Sequence, residues 1–462
     1  MRNGHSTYRG AGLAGLAAMV LSVMAATAPA ALAQDPMASN NGLYPEPQDW
    51  DGRYLTANLN YPETAGLNAW PFSDGGGPLD VAGAPAYANR LKEHLGKTLH
   101  VLVDAPQDWD PVTAGWYDMV WSGEGVPGAA GIDPTSGREA LMNTYSGQII
   151  PAETFAPEYR PKTAVQNHAV IYYNSTAASV LQDIWANIYA PDPRAATFRD
   201  GSVIVKVEAV TNAPEDWPVI QGSSVWHVFR PTTADQAGGV TPLVPRVLPV
   251  HPLQIAVRVK DPVASPRTGW VFAAFVYDRD APGASAWDRF VPVGLQWGND
   301  PQFARSPTGI APGASLQETW INPAAPGFIQ RTLGWGGRLS GPMDVSSRHN
   351  VITPSGRRYQ GGDHLAASSC QSCHGAAEFP RTANLYPSPN RSFPRDGTPF
   401  LLYDPGSADW ARWFQNRPGS QPLSGNPGVT ALDYDMVLMF ALSAFNEAVG
   451  NDGYEQELFD VH

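Results

Sequence analysis

Two cysteines and a histidine lie within five consecutive positions near the C-terminal end of this 462-residue chain. Cys370 and Cys373, separated by Gln371 and Ser372, are the only cysteines in the sequence, and His374 follows directly. Two thiols at this spacing can add to the two vinyl groups on one edge of a porphyrin, and the adjacent imidazole can then bind the iron. The spacing Cys-x-x-Cys-His is that of c-type haem attachment. The sequence therefore predicts one covalent haem c, with His374 as the proximal iron ligand.

Three other uses of the cysteine pair are open. A thioredoxin-like redox pair requires a strand that leads into a helix, and residues 361–369 do not have the pattern of a buried strand. A zinc site requires four ligands, so that His349 or His364 would have to complete it. A disulfide between Cys370 and Cys373 would close a small and strained ring. Haem attachment is the interpretation that uses the whole motif.

The second axial position on the iron distinguishes two kinds of function. An electron carrier usually fills this position with a protein ligand, whereas a haem that does chemistry leaves it open. Met436 is the first candidate for the distal ligand, because its separation from His374 is common in small c-type cytochromes. A methionine at helical spacing is, however, most often part of a hydrophobic core. The rival ligands are Met439, Met343, His349 and His364.

The charge balance argues against nucleic acid and anionic lipid surfaces as partners. Lys and Arg number 30 and Asp and Glu number 43, which gives a net charge of −13 at pH 7. A chain this acidic lacks the basic surface that phosphate backbones require, so we expect no nucleic-acid partner. A redox partner protein with a basic docking surface fits the charge, since opposite charges speed encounter. The alternative is that the negative charge only maintains solubility.

The N-terminus predicts export. Residues 1–33 begin with Arg2 and Arg9, continue with an apolar stretch over 11–26 and end in a small-x-small cleavage site at 31–33. This order is typical of a secretory signal peptide, and an uncleaved anchor is the alternative. No later stretch offers about 18 consecutive apolar residues, so we expect no membrane span after cleavage. The predicted location of the mature protein is the periplasm.

Changes in composition divide the remaining chain into three parts. Residues 34–165 are loop-rich and aromatic, residues 166–335 contain short strand patterns, and residues 336–462 contain the haem motif. Turn clusters rather than helices separate the strand patterns, which favours antiparallel pairing. The predicted fold class is mixed β and α: an antiparallel β-sheet or sandwich domain, followed by a small, irregular, mostly α-helical cytochrome c-like C-terminal domain. It stays open whether the N-terminal part is a separate domain.

The strands that must position the motif have clear patterns. Within 202–210, valines alternate with Lys206 and Glu208, so that the two sets point to opposite faces of a sheet. An apolar run over 168–173 precedes this strand. The other strands are expected over residues 224–229, 254–260, 269–278 and 291–296.

Helical patterns flank these strands. The first two are predicted over 84–96 and 178–189, and Ser407 is expected to cap a third. The last helix is expected to begin at Thr430, with Asp433 at capping-box spacing. Its end is predicted at Gly450.

The motif followed by two helices resembles a mono-haem c-type cytochrome. In addition, residues 198–206 and 269–275, followed at a distance by the motif, are similar to β-sheet c-haem enzymes that oxidise hydroxylamine. The resemblance implies a vacant iron site and a lysine cross-link to the haem, and Lys206 is one of five lysines in the chain. The chain departs from these enzymes because it continues well beyond His374, whereas they stop soon after the motif.

A closer resemblance involves other residues. Trp287, the run 291–300 and the run 337–342, followed by the haem motif, look like a family of large exported mono-haem cytochromes of undefined role. This resemblance implies haem and export, and no substrate.

Three hypotheses for function follow. The first is an exported cytochrome that carries single electrons. The second is a haem enzyme with an open iron site that acts on a small nitrogen compound or a peroxide. The third is a ligand-binding β module with a sensor haem, in which aromatic residues of the N-terminal part line the ligand surface. Packing against the main domain is the more common use of such residues, which here are Trp109, Trp116, Tyr117 and Trp121.

Overall fold

The fold is known from a computed structural model. It describes residues 35, 37–66, 70, 76–120, 133–344, 351–359, 365–391 and 398–449. The predicted signal peptide, Trp121, His349, His364 and Gly450 lie outside these residues.

Among the described residues, nine strands form one sheet in which every pairing is antiparallel. The strands are β1 (Trp116–Tyr117), β2 (Tyr145–Ile150), β3 (Val165–Asn174), β4 (Val203–Val210), β5 (Trp226–Arg230), β6 (Arg246–Lys260), β7 (Trp270–Tyr277), β8 (Phe290–Gln296) and β9 (Thr319–Ile321). Their order is β1-β3-β4-β6-β7-β8-β9, with β2 also paired to β3 and β5 to β6. The sheet, together with several helices, confirms the predicted mixed class and antiparallel pairing.

Both faces of this sheet are covered. The apolar face contains Tyr172, Val205 and Val257, which are cross-strand neighbours and are fully buried. The polar face contains Lys206 and Glu208 of β4 and, on β6, residues such as Gln254, Arg258 and Lys260. Glu208 is as inaccessible to solvent as the valines, so that the alternation in β4 separates two buried faces rather than an inside from an outside.

The N-terminal part covers the apolar face. Trp109 is buried and its Nε1 donates to the hydroxyl of Tyr172 at 3.0 Å. Trp116 is also buried, so these aromatic residues pack into the core. The helices of the described chain are α1 (Ala84–Gly96), α2 (Leu99–Asp104), α3 (Pro111–Ala114), α4 (Ser175–Ile184), α5 (Thr233–Ala237), α6 (Cys370–His374), α7 (Ala408–Ala411) and α8 (Met436–Ala448).

The C-terminal part lies on the polar face. Its strands, within the described residues, are β10 (Val351–Ile352), β11 (Arg358–Tyr359), β12 (Glu378–Phe379), β13 (Phe400–Leu401) and β14 (Thr430–Ala431). β10 lies between β11 and β13, and β12 pairs with β14. Because these strands have only two residues each, long loops make up most of this part.

Two predicted helices differ from the observed ones. The second helix, predicted over 178–189, occupies Ser175–Ile184 because the side chain of Asn174 caps it by accepting from the Ala177 N–H at 2.9 Å. It ends early, where the Ile184 carbonyl accepts from the Asp192 N–H instead of continuing the helix.

The predicted start of the last helix is also wrong. Thr430 belongs to β14, and the helix begins at Met436 after the N-cap Asp435. Asp433 and Tyr434 have φ angles of 46° and 68°, in the left-handed region that a helix does not contain. The carboxylate of Asp433 binds side chains of the sheet instead of capping a helix.

Candidate functional site

The cysteines and the histidine of the motif share one short helix, α6. Ser369 caps this helix: its hydroxyl accepts from the Ser372 N–H, and the Ser372 hydroxyl accepts from the Ser369 N–H. This capping box starts the helix at Cys370, so that Cys373 lies three residues later on the same side. Both cysteines are partly exposed and they are not joined in a disulfide.

The sheet holds α6 in place. The Gln371 N–H donates to Oε1 of Gln296 at 3.2 Å, and Nε2 of Gln296 donates to the Ser369 hydroxyl at 3.1 Å. Gln296 ends β8 and is fully buried. The Cys370 N–H donates to the carbonyl of Leu339 at 2.9 Å. The motif is therefore tied to a rigid strand and not only to neighbouring loops.

His374 is the last residue of α6, and its side chain lies against the polar face of the sheet. Its Nδ1 is 3.0 Å from the carbonyl oxygen of Tyr434, and its ring lies 5.2 Å from that of Phe272 on β7. A carbonyl oxygen only accepts hydrogen bonds, so a bond between this pair requires the proton on Nδ1 and leaves the lone pair on Nε2. Histidines that bind metals are typically held in this way. The arrangement prepares Nε2 of His374 for a metal.

The charge state of His374 suits the same role. Burial lowers the pKa of His374 well below its usual range, and the positive charge of Arg258 adds to this effect. The imidazole is therefore neutral, which metal binding requires.

The carbonyl that holds His374 is itself fixed by β6. Arg258 donates from Nη1 to the Tyr434 carbonyl and from Nη2 to Asp435 Oδ1 at 2.8 Å. Two residues along the strand, Nζ of Lys260 lies 2.7 Å from Oδ1 of Asp433. Arg258 and Lys260 thus bind all three residues of the segment 433–435, which we call the proximal segment.

Among the described residues, Met436 is a candidate distal ligand that contacts the motif. Sδ of Met436 lies 3.8 Å from Sγ of Cys373. Met439 and Met343, in contrast, are buried in the hydrophobic core. Iron binding by Met436 stays a prediction, and contact with Cys373 is the observation that sets this residue apart.

The sequence did not indicate a charged cluster that also lies near Cys370. Nζ of Lys206 is 3.1 Å from Oε1 of Glu208 and also pairs with Asp344. Nε2 of Gln254 donates to both carboxylates. The alternation in β4 placed Lys206 and Glu208 on one face, but no pattern links them to Asp344, which lies in a loop.

The cluster has unusual electrostatics. Burial raises the pKa of Glu208 to about 8, and the nearby charge of Asp344 adds to the shift, while Lys206 opposes it. Burial and the same Asp344 charge raise the pKa of the Cys370 thiol. The influence of Asp344 on both groups indicates that the cluster and the thiol share one environment.

These residues fit a covalent haem. The two cysteines lie on one side of one helical turn, and the adjacent imidazole has its Nδ1 bound to a carbonyl. Within the described part of the chain, no three His, Cys, Asp or Glu side chains lie close enough to share a metal ion. In the same residues, no helix is long and apolar enough to cross a membrane.

Comparison with known proteins gives no further assignment. The chain matches no protein-family model, and no curated protein matches it.

Proposed function

We propose that this chain is an exported, periplasmic mono-haem c-type cytochrome that passes single electrons. Cys370 and Cys373 would form the two thioether bonds, and His374 would be the proximal iron ligand. One observation carries this proposal. His374 lies on the same helix as both thiols, and its Nδ1 donates to the Tyr434 carbonyl.

Bound haem c supplies a metal centre that gains and loses one electron. The polypeptide would control how a partner protein reaches the haem and would shield the rest of the haem from solvent. The three motif residues are partly exposed, which allows a partner to approach one porphyrin edge, while the polar face of the sheet lies behind His374. The cytochrome c-like region is then the C-terminal part, 336–462, and the acidic protein would attract a partner with a basic docking surface.

The spin state of the iron tests this function. If Met436 or another side chain fills the distal position, the ferrous protein has a low-spin spectrum with sharp α and β bands and binds carbon monoxide slowly. Absorption spectroscopy and carbon monoxide mixing measure both properties. Rapid carbon monoxide binding by the intact protein would contradict the electron-carrier proposal.

One observation favours a second function, that of a haem enzyme acting on a small nitrogen compound or a peroxide. The Lys206–Glu208–Asp344 cluster lies near Cys370, and an electron carrier has no need of buried groups that hold protons. Glu208, whose pKa is raised to about 8, could hold or release a proton near neutral pH. Two assays test this function: oxidation of hydroxylamine with an added electron acceptor, and reduction of hydrogen peroxide with an added electron donor. Turnover that requires the protein and that Glu208→Gln slows would support it.

A further inference from the structure

We infer that Arg258 raises the reduction potential of the iron bound by His374. The inference rests on the proposed haem attachment and adds to it a positioning residue, one that acts on the iron ligand through the carbonyl of Tyr434 and through its own charge.

The position of Arg258 makes it suitable for this role. It lies within the paired part of β6, opposite Ile204 of β4 and Phe272 of β7. Its side chain is 6% exposed, so water screens its charge poorly. Its Nη1 lies 3.3 Å from Nδ1 of His374. No loop has to move for the guanidinium to act on the imidazole.

One carbonyl oxygen receives two donors. Nδ1–H of His374 and Nη1 of Arg258 both donate to the Tyr434 carbonyl. A hydrogen bond from Nδ1–H raises the basicity of a metal-binding imidazole, since it moves negative charge towards the ring. A guanidinium on the same oxygen draws on the same lone pairs and weakens that effect. A less basic imidazole stabilises ferric iron less, so the potential rises.

The charge of Arg258 acts in the same direction, and Asp435 limits it. Positive charge near the iron disfavours the oxidised state, because oxidation adds positive charge to the centre. Oδ1 of Asp435 lies 2.8 Å from Nη2 of Arg258, and the Tyr173 hydroxyl donates to Oδ2 of Asp435 at 2.9 Å. Removing one or the other member of this buried pair therefore shifts the potential in opposite directions.

The experiment uses the full-length haem protein and measures midpoint potentials by spectroelectrochemical titration. Arg258→Gln is expected to lower the potential, and Asp435→Asn to raise it. Asparagine at 435 still caps α8, because Asn is as good an N-cap as Asp. Arg258→Lys keeps the charge and should give a potential between those of the parent and Arg258→Gln.

A matched control lies in the same segment. Asp433→Asn is the same chemical change two residues earlier, where the partner is Lys260 and not the cation that contacts His374. We expect a smaller shift than for Asp435→Asn. If Arg258→Gln does not fold, the comparison of these two asparagine variants still decides the question.

The outcomes distinguish failure of the proposed function from failure of the inferred role of Arg258. A parent protein without covalent haem would refute the proposed function itself. A parent with haem, together with unchanged potentials in the Arg258→Gln and Asp435→Asn variants or shifts of the same sign in both, would refute the role of Arg258 alone.

Discussion

The two nitrogens of the His374 imidazole have different tasks. Nδ1–H is bound to the Tyr434 carbonyl, which fixes the plane and the tautomer of the ring. Nε2 is thereby left as the atom that would bind the predicted iron. A single side chain thus connects the sheet, through Arg258 and the proximal segment, to the predicted iron.

The contact between Met436 and Cys373 leads to a prediction at the same scale. Met436→Leu removes the sulfur but keeps the side-chain volume, so packing should change little. We expect the low-spin bands of the ferrous protein to be lost and carbon monoxide to bind faster. Met439→Leu is the control, because Met439 is buried in the core. An unchanged spectrum in Met436→Leu would remove this residue as the distal ligand.

Glu208 predicts a pH dependence of stability. Its pKa is raised from 4.5 to about 8 in the folded chain, so the folded state binds this proton more tightly than the unfolded state. The stability that this proton contributes is complete below about pH 4.5 and is lost as the pH rises through about 8. In Glu208→Gln the free energy of unfolding should fall less steeply over that range.

Urea unfolding at several pH values measures this slope. In Glu208→Gln, the side-chain amide of Asn167 can turn so that its Oδ1, which has no hydrogen-bond partner in the parent, accepts from the new amide. Lys206 keeps its ion pair with Asp344. Parallel pH profiles for the parent and the variant would show that Glu208 does not titrate as described.

At the scale of elements, α6 depends on its cap. Ser369→Ala removes the hydroxyl that accepts from Ser372 and from Gln296, and we expect a loss of about 1 kcal/mol in the free energy of unfolding. Ser407→Ala, which uncaps α7, should cost a similar amount. Only the Ser369 variant should also attach less haem, measured as haem per polypeptide. Equal haem content in both variants would argue against the hypothesis that the Ser369 cap positions Cys370 for haem attachment.

The strands were predicted more accurately than the helix starts, for a physical reason. In β4, the alternation of valines with Lys206 and Glu208 gives a period of two, and the observed strand differs from the prediction by one residue. α8 begins only after the N-cap Asp435. The earlier Asp433 has a left-handed φ and binds Lys260 and Trp270, which are far away in the sequence. The pattern of neighbouring residues in the sequence cannot indicate such a tertiary contact.

The length of β6 shows the same effect on a strand. The sequence predicts a strand over 254–260, but β6 begins at Arg246 because its first half pairs with β5. Pro249 and Pro252 occur in this extension, and proline weakens any strand prediction. Pairing with β5 keeps this segment in a strand in spite of its two prolines.

For the whole molecule, the sheet lies between two parts of the chain. The N-terminal part packs on the apolar face through Trp109, whereas the C-terminal part lies against the polar face and contains the motif. Leu91→Ala in α1 should therefore cost about 2–5 kcal/mol, since Leu91 is fully buried. The haem spectrum and potential should not change.

Urea unfolding and absorption spectroscopy test this separation. Val112→Ala, at a side chain that is 56% exposed, is the control and should change the stability by less than about 0.5 kcal/mol. A spectral change in Leu91→Ala as large as in Met436→Leu would show that the two faces are coupled.

The site was predictable only in part. Spacing alone indicates Cys370, Cys373 and His374, because covalent attachment requires neighbouring residues. The support for His374 comes from Arg258 and from the backbone of Tyr434, which are distant in sequence. A backbone carbonyl exists at every residue, so no sequence pattern can indicate which one will accept from Nδ1.

The attachment of haem is tested most directly by the mass of the mature protein, expressed with a haem-maturation system and purified under denaturing conditions. We predict the mass of the polypeptide plus one haem, a haem stain that survives denaturation, and loss of both in the Cys370→Ala/Cys373→Ala variant. A colourless product with the mass of the bare polypeptide and two alkylatable thiols would contradict the account.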